Sequence, residues 1–379
     1  MKKFLIIAFA LLITTHIGCG KKAEKIRIGG IFPMTGGSAT FGQSSKQGMQ
    51  LAVDEFNAKG GIAINGKKLL VNPIYDDTAG MPEQAANVCR KQIDQDQVSA
   101  IVGAVMSKNS KAIAPICQSK EVVMVSPAST NPDVTLVGNF IFRVCFIDPF
   151  QGTVMARYAY NNLKVTKAAI LYDNGNDYNK GLAHFFEQEF EKLGGEIVSK
   201  QAFTDEEKTV DFKAQLTTIK SAEPEFLYLP NYYAASALIL KQAKEIGLDV
   251  PAGGGDGWDS DKLVEIGGEA VEGGVFSNHF SKEDQSPEVQ RFVTKYREKH
   301  GADPDALASL AYDAAFVLLS AIEKAGSLKG ADIRDALKTI HFKGATGNIT
   351  FDENRNPIKS AVILQIKNGQ QQYLTTVNP

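Results

Sequence analysis

The chain has 379 residues, 44% of them hydrophobic and 22% charged, with 41 Lys and Arg against 43 Asp and Glu and a formal net charge of −2. So mild a charge argues against any general affinity for nucleic acid or for an anionic membrane surface. The length exceeds what one hydrophobic core ordinarily organises and predicts two domains. Four cysteines with no CxxC pair and no Cys/His cluster argue against a zinc site or a dithiol redox motif.

Met1-Lys2-Lys3 is a basic start, and Phe4–Ile13 is an uninterrupted apolar run of ten residues, too short for a stable membrane-spanning helix. Residues 1–18 therefore read as an export signal. Gly18-Cys19-Gly20 reads as a bacterial lipoprotein processing site, with cleavage before Cys19 and acylation of its sulfur. His16 departs from that pattern, since a branched aliphatic residue is usual there, and the other reading of Cys19 is a cleaved residue of an ordinary signal peptide. Loss of residues 1–18 removes Lys2 and Lys3 and leaves 39 basic against 43 acidic groups, a net charge of −4. No later apolar run is expected to reach membrane-spanning length. The expected product is a soluble body, exported to the periplasm or cell surface and tethered there by its lipid.

The body alternates strand and helix. Ile26–Phe32 predicts a strand, and Gly42–Lys59 an amphipathic helix with Met49, Ala52, Val53 and Phe56 on one face. Gly60-Gly61 ends that helix. A strand over Leu69–Asp76, a helix over Pro82–Gln95, a strand over Ala100–Val105, a helix over Ser107–Ser119 and a strand over Val122–Ser126 follow. The rhythm restarts with Ala168–Asp173 (strand), Asn179–Leu193 (helix), Glu196–Ala202 (strand), Val210–Ser221 (helix), Phe226–Pro230 (strand), Ala234–Ile246 (helix) and Gly273–Ser277 (strand). Helices over Pro287–Lys299, Ala306–Ala325 and Ala331–Lys338 precede strands at Ile349–Phe351 and Ala361–Lys367. Such alternation implies parallel sheets covered by helices on both faces, in two similar α/β halves between which the chain crosses more than once. Cys89 and Cys117 lie on helices that could be neighbours; the readings are a disulfide or, with Cys145, small buried hydrophobes.

Chemistry is sparse. The five histidines are far apart, none with a partner at i+4, and there is no GxGxxG after the first strand, no phosphate loop and no GxSxG elbow. In Asp173–Tyr178 and Asp352–Pro357 a tyrosine and a proline stand where a calcium loop needs glycine, so both read as turns. No metal or cofactor is predicted, and an exported α/β enzyme is the least supported class because no nucleophile–base pair is visible.

What remains lies at the carboxyl ends of predicted strands, where open parallel sheets place their ligands. Ser107 is placed to cap the helix after the third strand, where bare N–H groups and the helix dipole favour a carboxylate. Ser129 and Thr130 follow the fourth strand; Tyr178 and Tyr232 follow two strands of the second half; Asp256 sits in the glycine-rich loop Gly253–Trp258. Singly, these read as a helix cap, turn residues and half-buried packing. Together they supply anion donors on one half and an acid with aromatic walls on the other, which suits a zwitterion.

The same residues carry a resemblance. The chain resembles the substrate-binding lipoproteins and periplasmic proteins of ABC importers for branched-chain amino acids, the leucine/isoleucine/valine-binding type. The matching segments run in order: Gly36 to Gly61, Tyr75-Asp76-Asp77, Gly103 to Ser110, Ser126 to Pro132, Tyr172 to Gly181, Phe226 to Gly247, Gly253 to Trp258 and Thr346 to Asp352. The resemblance implies a type I periplasmic-binding fold: two Rossmann-like lobes with parallel sheets, joined by three crossovers, with the ligand in the cleft. It implies lobe I over residues 24–147 plus 279–348 and lobe II over 148–278 plus 349–379. It implies that Ser107, Ala128 and Thr130 receive the ligand carboxylate, that Asp256 pairs with the ammonium, that Tyr178 and Tyr232 close from lobe II, and that Phe41 and Met106 line the side-chain pocket. The implied function is capture of a branched-chain or other apolar amino acid by a monomer that delivers it to an ABC permease; the alternative is the same fold binding an amide, urea or aromatic acid for uptake or sensing. Asp256 is one methylene shorter than the glutamate often found there. A cysteine pair that some members carry is absent, with Thr78 and Met106 in that region.

Overall fold

The computed structural model describes residues 25–379, so the export signal and Cys19 lie outside the described residues. From the N-terminal side the elements are β1 (Ile26–Phe32), α1 (Ala39–Ala58), β2 (Ile62–Ile64), β3 (Lys67–Leu69), β4 (Val71–Asp77), α2 (Pro82–Asp94), β5 (Ala100–Gly103), α3 (Ser107–Ser119), β6 (Val123–Ser126), α4 (Asp133–Leu136) and β7 (Ile141–Arg143). Five of these strands pair in parallel in the order β4-β1-β5-β6-β7. Their central members are apolar and buried along almost their whole length, as a sheet covered on both faces requires.

The chain then crosses to a second sheet, supplying α5 (Asp148–Arg157, continued by a π turn over Tyr158–Asn162), β8 (Lys167–Asp173), α6 (Asp177–Lys192), β9 (Glu196–Phe203), α7 (Lys213–Ser221), β10 (Phe226–Tyr228), α8 (Tyr233–Glu245), β11 (Ala252–Gly254), α9 (Asp261–Gly267) and β12 (Val275–Asn278). It returns for α10 (Pro287–His300), α11 (Ala306–Ala325), α12 (Gly330–Leu337) and the hairpin β13 (Phe342–Gly344) and β14 (Gly347–Ile349), which pack around the first sheet. It crosses a third time to add β15 (Ala361–Lys367) and β16 (Gln370–Val377) to the second sheet, whose order is β16-β15-β12-β11-β10-β8-β9. This is a type I periplasmic-binding fold of two α/β lobes.

The structure departs from the sequence expectations in several places. The second sheet is not wholly parallel, because β15 enters from the third crossover antiparallel to β12 and turns back at Asn368-Gly369 to form β16. The strand expected from Leu69 starts at Val71, because Ile62–Leu69 forms its own hairpin, β2 and β3, around Asn65-Gly66. The segment between Ser126 and Ala168 holds α4, β7 and α5, none of which was expected. Helix α11 is long and apolar enough to cross a membrane, contrary to the expectation for the body, yet 83% of its apolar window is buried and it packs on α1, β5 and β6.

Cys89 on α2 and Cys117 on α3 are buried thiols with their sulfurs 3.7 Å apart, and Cys145 is a buried free thiol. The two suspected calcium loops are turns whose leading carboxylates are taken by backbone N–H groups. Asp173 accepts N–H bonds from Gly175, Asp205 and Glu206, and Asp352 accepts one from Asn356.

Candidate functional site

The carboxyl ends of both sheets face one another across a cleft, and the lobes are closed on it. Asn131 Nδ2 donates to the Asp177 carbonyl at 3.1 Å, Ser260 Oγ to Thr40 Oγ1 at 3.1 Å, and Lys111 pairs with Asp177 at 3.2 Å. Between the lobes is an empty volume of about 290 Å³ lined by Phe41, Val105, Met106, Ser107, Ala128, Tyr178, Tyr232, Asp256, Gly257 and Leu307.

On the first lobe, β5 leads through Ala104 and Val105 to Met106, which is extended, and the chain turns helical at Ser107. Ser107 does not cap α3 as expected. Met106 is the residue before the helix, and the Ser107 hydroxyl instead accepts the Asn131 N–H at 3.3 Å, tying the α3 start to the loop after β6. The Asn109 and Ser110 amides donate to the Met106 carbonyl at 3.0 and 2.9 Å, so the α3 start offers the cavity the Ser107 and Lys108 N–H groups and the positive end of a helix dipole. The loop after β6 is held from behind by Arg143, fully buried, whose guanidinium donates to the carbonyls of Ser129 (2.6 Å), Asn131 (2.8 Å) and Pro132 (3.1 Å) and to Thr135 Oγ1 (3.1 Å).

On the second lobe, Asp256 opens a 3₁₀ turn after β11. Its Oδ1 accepts the Tyr178 hydroxyl at 2.9 Å, its Oδ2 lies 2.9 Å from His279 Nε2, and its N–H donates to Gln151 Oε1 at 2.8 Å. The Tyr178 hydroxyl also accepts the Gly257 N–H at 3.0 Å, and burial, then Asp256, pushes its pKa far up. Gly255 is required by this packing, since a Cβ there would sit 2.7 Å from that hydroxyl. Tyr178 and Tyr232 stack with ring centroids 5.2 Å apart, and Phe41 of the first lobe meets Tyr232 edge-on at 5.6 Å. Behind the tyrosines lies Glu206, whose carboxylate accepts the Tyr232 N–H (2.8 Å) and Asn176 Nδ2 (2.8 Å), while Asn176 caps α6 by accepting the Tyr178 N–H. Burial pushes the Glu206 carboxyl up to about 7.

Of the residues singled out from sequence, Phe41, Met106, Ser107, Ala128, Tyr178, Tyr232 and Asp256 meet around the cavity. Ser129 and Thr130 are fully buried and do not line it. Ser129 spends its hydroxyl on the carbonyls of Ala104 and Val105 and on Ser110, and its N–H on Ser126. Thr130 Oγ1 has no hydrogen-bond partner among the described residues. Val105, Leu307, His279, Gln151, Glu206 and Arg143 were not anticipated. Two had a nearby signal: Val105 ends the strand predicted over Ala100–Val105, and Leu307 lies at the start of the helix predicted from Ala306.

Residues 25–371 match the family profile described as periplasmic binding protein. The chain is 31% identical to the leucine-, isoleucine-, valine-, threonine- and alanine-binding protein of Pseudomonas aeruginosa, over 91% of this chain and 90% of that one. It is similar in structure to the leucine-binding protein LivK of Thermotoga maritima, with a TM-score of 0.87 and 42% identity over 93% of this chain and 99% of that one. LivJ of Streptococcus pneumoniae, a branched-chain amino acid transporter substrate-binding protein solved with isoleucine, superposes with a TM-score of 0.87 at 32% identity, over 94% of this chain and all of that one.

Proposed function

The chain belongs to the periplasmic binding protein family, and from that premise we propose that it is the extracytoplasmic substrate-binding component of an ABC importer, capturing a branched-chain or other apolar amino acid between its two lobes. One observation carries the reading: Asp256 of the second lobe and the α3 N-terminus of the first line opposite sides of one small, apolar-walled cavity. In this reading the ligand carboxylate takes the unpaired amides at the α3 start with Ser107 and Ala128, and the ammonium pairs with Asp256. Phe41, Val105, Met106 and Leu307 surround the side chain, and Tyr178 and Tyr232 close over the backbone.

A buried ammonium needs both a charged partner and hydrogen bonds to offset lost hydration. Apolar burial adds about 25 cal/mol per Å², and capture at micromolar concentration requires about −8 kcal/mol in all. An amide, urea or aromatic acid would leave the Asp256 charge without a counter-cation. The lobes are assigned as residues 24–147 plus 279–348 and 148–278 plus 349–379. Ligand bridging both favours the closed form, which the permease subunits then recognise. The role is capture and delivery without turnover. Residues 1–20 support export and anchoring through acylated Cys19, and the body is assigned as a monomer.

Isothermal titration of residues 20–379, unfolded and refolded to strip carried-over ligand, against pooled aliphatic and aromatic amino acids tests the reading. Saturable micromolar binding by an aliphatic pool is expected; no heat with any amino acid would refute it.

A further inference from the structure

The three connections between the lobes converge beside the ligand cavity. The first, residues 144–147, carries Phe146; the second, 279–286, begins at His279; the third, 350–360, carries Lys359. The His279 ring lies on the Phe146 ring with centroids 3.6 Å apart and planes 27° from parallel. Lys359, buried, donates through Nζ to the Val144 carbonyl at 2.9 Å and to Thr346 Oγ1, joining the third connection to the first. From that junction His279 reaches Asp256, its Nε2 lying 2.9 Å from Oδ2.

We infer that His279 is a positioning residue for the ligand's ammonium group: its Nε2–H, seated on Phe146, aims the Asp256 carboxylate into the cavity. The inference rests on the reading that Asp256 receives the ammonium. A carboxylate can only accept, so Nε2 carries the proton. Nδ1 has no partner among the described residues and the side chain is almost wholly buried, so a second proton there would find no acceptor. Burial holds the imidazole below its ordinary pKa, against the opposing pull of Asp256, and Lys359 adds to the lowering. His279 is therefore a neutral donor. It orients Asp256 without cancelling its charge, where a lysine or arginine in its place would form an internal ion pair and compete with the ligand cation.

Tyr178 and His279 hold one carboxylate oxygen each. With both in place the carboxylate plane is fixed before the ligand arrives, which lowers the ordering cost of binding. Removing His279 frees one oxygen to rotate and leaves it partly desolvated without a donor.

The test is titration with L-leucine and L-isoleucine of the full exported chain and three variants, His279→Leu, His279→Gln and Asp256→Asn, with thermal unfolding to establish that each folds. His279→Leu should weaken binding by about tenfold or more, the usual effect of losing a hydrogen bond to a charged group. His279→Gln, which places an amide donor near the position of Nε2, should stay within about threefold of the parent, a rescue that a purely space-filling role does not predict. Parent affinity in the leucine variant, or equal loss in both, overturns the inference. Parent affinity in Asp256→Asn instead overturns the underlying reading of the ammonium site. Imidazole ¹⁵N spectra of the unmodified chain, with His279 identified by its absence from the folded His279→Gln variant, supply a readout independent of ligand. The Nε2–H tautomer at neutral pH is expected; the Nδ1–H tautomer or a charged ring overturns the inference.

Discussion

Lys108 of the first lobe and Glu207 of the second meet at 3.5 Å at the cleft, with about a fifth of each side chain exposed. The pair exists only when the lobes are closed, so it acts on release more than on encounter. A partly exposed pair of this kind contributes about 1 kcal/mol or less. Lys108→Met should therefore raise the ligand dissociation rate by roughly two- to fivefold with little change in association, and the difference should shrink at high salt. Stopped-flow exchange kinetics at two ionic strengths measure both; a change confined to the association rate would speak against a closure role.

Asp148 makes stability depend on pH. It is fully buried at the start of α5, and neither carboxyl oxygen has a partner among the described residues. Burial first, then neighbouring Asp256, pushes its pKa up to about 8, with Thr130, Arg143 and Gln151 opposing. A carboxyl raised in the folded state above its unfolded value near 4 contributes stability that is complete below about pH 4 and lost as pH rises through about 8. Urea denaturation should find the parent less stable at pH 8 than at pH 5, with the share from Asp148 bounded at about 4 kcal/mol. Asp148→Asn should remove its share of that slope and leave the part that Glu206, raised to about 7, contributes. An unchanged slope in the variant would place the titrating group elsewhere.

Arg143 is the structural support of the loop that carries Ala128. Replacing it with Met removes the guanidinium donors from three carbonyls and from Thr135 Oγ1, leaves Asn131 only the Val134 N–H and Ser129 only the Cys145 thiol, and should cost about 3 kcal/mol in chemical denaturation. Arg143→Lys should rescue little, because one ammonium cannot reproduce a planar fork of donors. Recovery by lysine to within about 1 kcal/mol of the parent would show that charge alone matters there.

The alternation of buried strands and amphipathic helices was legible because each carries its own period, and Ala306–Ala325 and Ala361–Lys367 fall where the sequence predicts. Short or polar elements were not legible by that period. Strands β2 and β3 have three residues each, and β16 reads Gln-Gln-Gln-Tyr-Leu-Thr-Thr-Val, yet both hairpins turn on Asn-Gly with positive φ at each residue, a turn signal that would have found them. The cavity walls at strand ends were legible because topology alone places them. His279 and Arg143 were not, since a lone histidine 23 residues from its carboxylate and a lone arginine in an apolar strand have no sequence pattern. Ser107 was misassigned as a cap because the helix starts one residue earlier than a serine cap requires.

The central claim is that both charged ends of an amino acid are recognised at once, one by each lobe. Its most direct measurement compares, by calorimetry on the unmodified protein, L-leucine with 4-methylpentanoate, which lacks the ammonium, and with leucinamide, which lacks the carboxylate. Each analogue leaves a buried charged or polar partner unmatched, so both should bind at least about a hundredfold more weakly than leucine. If 4-methylpentanoate binds as tightly as leucine, Asp256 does not hold an ammonium group and the zwitterion account is wrong.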